Sequence, residues 1–195
     1  AWLVTVVSPE YLRKALPLVL VLVLGYTLAK KQLGRDHTPR FVGQREALLA
    51  SLAEMWEART TTPLVAATRD YAETETEAML NVIACFLGAE TFDAKLEFAM
   101  RGWGLQDPAI MARIEAADHA RLAALVAMLE RWGHSAADAD VRAHTIYLVQ
   151  IGYISMRVEE TLETRVTRIP HYVEIYTGRP PEPREVARFR GDFGL

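Results

Sequence analysis

The sequence has little cysteine and no excess of positive charge. Cys85 is the only cysteine among 195 residues, so an intrachain disulfide is excluded. It lies in the apolar run 81–87, where a buried structural thiol is a better interpretation than a nucleophile. The 22 basic and 25 acidic residues give a net charge of −3, without the cationic excess that dominates nucleic-acid affinity. A free-standing DNA- or RNA-binding protein is therefore disfavoured.

The charge that is present divides the chain into two parts. Residues 1–43 carry six basic and two acidic side chains, and the remainder carries 16 basic and 23 acidic ones. In the first part, the segment from Ala15 to Ala29 has no charge and is hydrophobic on every side of a helix. As a helix it would be about 22 Å long, against roughly 30 Å of bilayer hydrocarbon. We favour membrane insertion; a buried helix or a hydrophobic strand is the alternative.

The second part lacks both strand-like alternation and a glycine-rich phosphate loop. From residue 44 onward, apolar residues recur at helical spacing between turn and cap signals. The fold class predicted is all-α, a multi-helix bundle preceded by the hydrophobic segment. The predicted helices span residues 45–59, 70–87, 91 to about 103, 108–132, 136–160, 170–177 and 185–193.

The helix predicted over 136–160 is apolar on two sides. Val141, Leu148 and Ser155 lie on one line, while Ile146 and Val149 lie on another. A helix with two buried faces needs two partners, the domain's own core and a second copy of the chain. The residues predicted to face that second copy are Val141, Leu148, Gly152, Ser155 and Tyr172.

The sequence offers no pattern typical of a metal or catalytic site. The five histidines stand far apart, and Glu115 with His119 is better read as an ordinary polar helix edge than as a metal site. No nucleophile, general base and orienting acid can be nominated together. We therefore predict no catalytic residue, no metal and no cofactor, and a protein that is not an enzyme.

The front of the chain resembles a transporter family. Residues 6–34, with the doublet Lys30-Lys31 after the apolar run, are followed by the segment His37-Thr-Pro-Arg40. This order is similar to the middle of the sulfite exporter or TauE/SafE-like anion permeases, and it covers about the first 45 residues. The resemblance implies that residues 1–43 are a truncated permease-like membrane segment and linker. A fragment of an integral membrane permease is accordingly the alternative function.

The larger part resembles a different family. The segments that carry this likeness, by their order and spacing, are residues 43–49, 101–108, 118–122, 133–138, 142–143, 147, 152–153, 168–173 and 177–178. They are similar to the C-terminal region of TetR/AcrR-family transcriptional regulators. The resemblance implies that residues 44–195 form an effector-binding and dimerisation domain, with a homodimer and a small apolar effector as partners. The cavity residues that it implies are Phe86, Phe98, Trp103, His144, Tyr147 and Met156.

The chain departs from that family before Arg45. A family member would carry a helix-turn-helix there, where this sequence has the apolar segment instead. We therefore do not expect DNA binding, and we hypothesise a hybrid joined within residues 44–50. Basic residues after Ala29 outnumber those before Ala15, which predicts a cytoplasmic helical domain anchored to the inner membrane by the N-terminal helix.

Overall fold

A computed structural model describes residues 42–88 and 91–195, and these residues form helices and no strand. The all-α prediction is confirmed for this part of the chain. The chain divides into two compact units, residues 1–48 and 49–195. The helices are α1 (Val42–Ala67), α2 (Glu75–Leu87), α3 (Ala94–Gly104), α4 (Pro108–Arg131), α5 (Ala136–Ser155), α6 (Leu162–Thr177) and α7 (Pro183–Asp192).

The predicted membrane segment from Ala15 to Ala29, like most of the predicted first domain, lies outside the described residues. Within the described ranges, no helix combines the length and the hydropathy needed to cross a bilayer.

Side-chain caps fix where several helices begin. The carboxylate of Asp107 accepts hydrogen bonds from the amides of Ala109 and Ile110, with Pro108 in the first helical position of α4. The Ser135 hydroxyl accepts from the Asp138 amide at the start of α5. Both starts agree with the sequence-based predictions, because a cap is a local signal that the sequence itself contains.

Two predicted boundaries at prolines are wrong. Helix α1 does not end before Pro63 but continues through it to Ala67. Trp56, Thr60 and Leu64 on one face of α1 are fully buried, and their packing outweighs the hydrogen bond that Pro63 cannot donate. Likewise α6 begins after the Thr161 cap, eight residues before Pro170, which lies inside the helix.

The starts of α2 and α3 also differ from the prediction. Helix α2 is capped by Thr74, whose hydroxyl accepts from the Glu77 amide, and not by Asp70. Helix α3 is capped by Asp93, which accepts from the Leu96 amide. In both cases a second cap residue a few positions later in the sequence is the one used.

Helix α5 ends at Ser155, before the predicted limit of residue 160. The Val158 amide donates to the Tyr153 carbonyl and the Arg157 amide to the Ile154 carbonyl, both at 3.1 Å. Arg157 adopts a left-handed backbone conformation with φ of 50°. These bonds form a Schellman turn, in which the left-handed position is usually glycine.

Two apolar clusters hold the described helices together. The smaller one joins Trp56 of α1 to Met100 of α3 and to Ile110 and Ile114 of α4. The larger one is formed mainly by α2, the second half of α4, α5 and α6. Helix α4 contributes to both clusters and packs against α3 and α5, while α2 packs against α6 and α7.

Candidate ligand-binding cleft

A buried polar network lies between α1, α3, α4 and α5. Arg121 is fully buried, and its guanidinium donates to both carboxylate oxygens of Glu97 at 3.0 and 3.1 Å. It also donates to the Thr60 hydroxyl at 2.8 Å and to the Tyr147 hydroxyl at 2.7 Å. Such bidentate, charge-assisted bonds are strong where water is excluded.

A second ion pair completes the network. Arg101 donates to Glu97 at 2.8 Å and to the two oxygens of Asp118 at 3.1 and 2.7 Å. The Tyr147 hydroxyl donates to Asp118 at 2.5 Å, and burial raises its pKa against the opposing effect of Arg121. Two guanidinium groups thus face two carboxylates. No fully buried side-chain nitrogen or oxygen of the described residues lacks a hydrogen-bond partner, which is typical of a structural network.

A cleft of about 550 Å³ opens between α2, α3, α5, the start of α6 and the loop that joins α5 to α6. Its volume lies within the range of small-molecule sites. Phe86, Phe98 and Ile154 give it an apolar surface. A smaller cavity of about 50 Å³ adjoins it; the residues that line both are Phe86, Gln150, Tyr153 and Arg165.

The cleft has a basic lining. Lys95, Arg157 and Arg165 face it, together with one acidic residue, Glu159. The Arg165 guanidinium lies 4.8 Å from the centre of the Tyr153 ring, and that of Arg157 lies 5.9 Å from the centre of Phe98. Both distances are within the range of cation–π interactions. The cleft therefore combines aromatic surface with positive charge.

Gln150 is the polar side chain at the junction of the two cavities. It is only 9% exposed, and its amide forms no hydrogen bond to another side chain or to the backbone of the described residues. Since no fully buried side-chain nitrogen or oxygen of the described residues lacks a partner, the Gln150 amide is open to the space of the cavities, and its hydrogen bonds come from water or from a ligand there. A bound molecule could supply them here.

The structure brings together two of the six predicted cavity residues. Phe86 and Phe98 line the cleft. Tyr147 belongs to the buried network, and Trp103 packs against the smaller apolar cluster. The other two lie towards solvent: His144, with its Nδ1 atom 2.9 Å from the Asp140 carbonyl oxygen, and Met156, which is 78% exposed.

Sequence reasoning missed the polar side of the cleft. The sequence analysis did not nominate Gln150, a polar residue inside the predicted helix. It also missed Arg157 and Arg165, because the predicted helix ran past Ser155 and α6 was not predicted to begin at Leu162. Tyr153 did lie on the second apolar line of the predicted helix. The signal that could have found Arg165 is the cap residue Thr161, whose hydroxyl accepts a hydrogen bond from the Thr164 amide at the start of α6.

The residues predicted for the dimer interface divide into two groups. Val141 and Leu148 on α5 are 63% and 60% exposed, Ser155 is also exposed, and no atom lies within 4 Å of where a Cβ on Gly152 would stand. Tyr172 instead stacks on Tyr176 with ring centres 5.8 Å apart and lines the small cavity. The α5 residues thus form one outward face, which we call the α5 outer face.

Cys85 is buried, as the sequence predicted, and burial raises the pKa of its thiol to about 11. The thiol is therefore protonated at neutral pH and a poor nucleophile. Within the described part of the chain, no three His, Cys, Asp or Glu side chains converge as a metal site would require.

Comparisons with protein-family models, with curated proteins and with solved structures found no significant match.

Proposed function

We propose that residues 49–195 form a ligand-sensing domain that pairs with a second copy of the chain, as the resemblance to TetR/AcrR-family regulators implies. The observation that carries this proposal is the 550 Å³ cleft with its aromatic and basic lining. A pocket that is largely apolar with a few convergent polar groups is the usual form of a small-molecule site. The action proposed is binding without chemical conversion.

The placement of α5 supports a sensing role. Its inner side contributes Gln150, Tyr153 and Ile154 to the cleft, while Val141 and Leu148 lie on its outer face. A ligand that prefers one position of α5 would shift the population of that position, and a partner on the outer face would respond to it. One helix thus connects a binding site with a candidate subunit surface.

Exposed apolar side chains favour a second copy of the chain as that partner. Ile175 on α6 is 63% exposed, similar to Val141 and Leu148 on α5. Large exposed apolar side chains at neighbouring positions are typical of protein–protein interfaces. Symmetric homodimers are the commonest assemblies of soluble proteins, and a twofold axis would bring the same helices of two copies together.

A titration of the full chain with a neutral aromatic probe tests the proposed function. Isothermal calorimetry with N-phenylnaphthylamine should show saturable binding. Ala94 is exposed and lines the cleft, so Ala94→Trp should fill it and weaken binding at least about tenfold, the effect of about 1.4 kcal/mol. Ala123, which is exposed on α4 and does not line the cleft, provides the matched control Ala123→Trp.

Two results would contradict the proposal. One is the absence of saturable binding to the unmodified chain. The other is binding that Ala94→Trp and Ala123→Trp leave equally intact, because the probe would then occupy some other part of the molecule.

A further inference from the structure

We infer that the ligand of the cleft is an amphipathic organic anion, with its anionic group held by Arg165 and Gln150 and its apolar part against Phe86, Phe98 and Ile154. This inference rests on the proposed function and narrows it to one chemical class.

The charge of the cleft opposes that of the chain. Three basic side chains and one acidic side chain line it, although the chain as a whole carries a net charge of −3. Neither Lys95, Arg157 nor Arg165 makes a salt bridge or donates a side-chain hydrogen bond to any described residue. By contrast, the nearby Arg168 is paired with Glu160 at 2.7 Å. Among the described lining residues only Glu159 opposes this positive charge, and it forms no salt bridge with the three basic side chains.

The polar groups at the junction of the two cavities suit a carboxylate or a similar anion. A guanidinium offers a planar fork of donors that matches two oxygens of an anion. Arg165 lies over the Tyr153 ring, which restricts the plane of that fork. Gln150, a residue that is 9% exposed, lines the same two cavities, and its amide can donate a further hydrogen bond to a ligand there. Both side chains line the larger and the smaller cavity.

The apolar part of the ligand has a defined surface. Phe86 and Ile154 are buried at the base of the cleft, and Phe98 is 43% exposed at its edge. A free inorganic anion would leave these side chains uncovered. An aromatic or aliphatic body attached to the anionic group would cover them and remove their apolar surface from water.

The backbone at Arg157 is a further sign of function. Its φ of 50° places a non-glycine residue in the left-handed region, at the helix end where glycine is the usual residue. An observed backbone outlier of this kind is a reason to look for a function of its side chain. The guanidinium lies at the cleft over Phe98, where it would meet an anionic ligand.

A matched set of three probes tests the inference on the full chain. Naphthaleneacetate, its neutral amide and naphthylethylammonium share one ring system and differ in charge. Calorimetry should rank them anion, amide, cation, with the anion at least about tenfold tighter than the amide, since hydrogen bonds to charged groups are worth about 1.5–3 kcal/mol. Added salt should reduce the advantage of the anion.

Variants assign that advantage to the cleft. Arg165→Gln should remove most of the preference for naphthaleneacetate while leaving the affinity for the amide nearly unchanged. Arg157→Gly should reduce the preference too, and glycine is the residue best suited to its backbone. Arg179→Ala is the matched control, since Arg179 is exposed and does not line the cleft. It should leave the preference as it is.

Four outcomes would overturn the inference. Equal affinity for anion and amide, or tighter binding of the cation, would overturn it and leave the proposed function standing if N-phenylnaphthylamine still binds. If N-phenylnaphthylamine binds and naphthaleneacetate does not, the inference is likewise overturned and the proposed function stands. Failure of all four compounds to bind would overturn both.

Discussion

Arg121 shows at the residue scale how a fully buried charge is accommodated. Its five N–H donors are all matched by acceptors on Glu97, Tyr147, Thr60 and Thr61. The guanidinium carbon also lies 5.2 Å from the centre of the Trp56 ring. A buried ion pair contributes little net stability when it is intact. Removing one partner is nevertheless strongly destabilising, because the other charge is left unpaired in a low-dielectric interior.

Replacing Arg121 should therefore be severe. Arg121→Met keeps the length of the side chain but removes the positive charge and the two hydrogen bonds that Arg121 gives to the Glu97 carboxylate. We therefore expect a loss of about 3–5 kcal/mol in the free energy of unfolding. Urea denaturation measures it. The control is Arg113→Met, because Arg113 and its partner Glu57 are each about one-third exposed. We expect that change to cost less than about 1 kcal/mol. Similar losses for the two variants would show that the network is not the structural centre described here.

Glu185 provides a pH-dependent contribution. Its burial alone would raise the pKa, but hydrogen bonds from Thr74 and Thr76, and from the Glu182 amide, hold the pKa below its ordinary value of 4.5. A carboxyl whose pKa is lowered by folding stabilises the folded state above the unfolded pKa, and this contribution is lost as the pH falls through the folded value.

Comparison of Glu185→Gln with the unmodified chain tests this contribution. The unmodified chain should be more stable at pH 7, and the difference should shrink as the pH is lowered below 4.5. Urea unfolding at a series of pH values measures it. A difference that stays constant, or that grows towards acid pH, would mean that the ionised carboxylate does not stabilise the contact between α7 and the start of α2.

At the scale of elements, the end of α5 determines the shape of the cleft. The chain turns at Arg157 through the Schellman bonds from Val158 and Arg157, and this directs the loop towards α6. A left-handed conformation costs a non-glycine residue about 1–2 kcal/mol, and glycine avoids this cost in the folded state. Glycine also has more conformational freedom in the unfolded chain, which offsets part of that gain in stability.

Arg157→Gly should accordingly raise the free energy of unfolding by about 0.5–1 kcal/mol, measured by urea denaturation, while weakening anion binding. A gain in stability together with weaker binding is the pattern expected where a strained backbone conformation is kept because it positions a side chain in a binding site. A clear loss of stability would show instead that the contact of the arginine with Phe98 is what holds the turn.

The elements also show what the sequence can predict. Helix starts marked by Asp107-Pro108 and Ser135 were found, because caps act within three residues of chain. The course of α1 through Pro63 was not, because the burial of Trp56 and Leu64 that permits it depends on helices distant in sequence. In the candidate site, Phe86 and Phe98 are two of the cavity residues that the family resemblance implies, whereas Arg165 could not be placed without the packing of α6 beside α5.

At the scale of the whole molecule, the α5 outer face is the surface on which we expect assembly. Val141 and Leu148 are exposed there, and Gly152 leaves room for close approach. We expect the full chain to sediment as a dimer at micromolar concentration. Leu148→Glu should shift it towards the monomer, because it places a charge in the apolar centre of the interface.

The control for that experiment is Ala123→Glu, which adds the same charge at an exposed position of α4. It should leave the sedimentation unchanged. A monomeric unmodified chain, or a dimer that tolerates Leu148→Glu, would contradict the assignment of this face to subunit pairing.

We propose that a small molecule binds between α2, α3, α5 and α6. Isoleucine-methyl NMR of the full chain tests it most directly, because Ile154 lines the cleft whereas Ile110 and Ile114 lie in the separate apolar cluster. Titration with N-phenylnaphthylamine should shift the Ile154 methyl signal saturably and leave the signals of Ile110 and Ile114 in place. An unmoved Ile154 signal, or equal shifts at all three residues, would contradict ligand binding in the cleft.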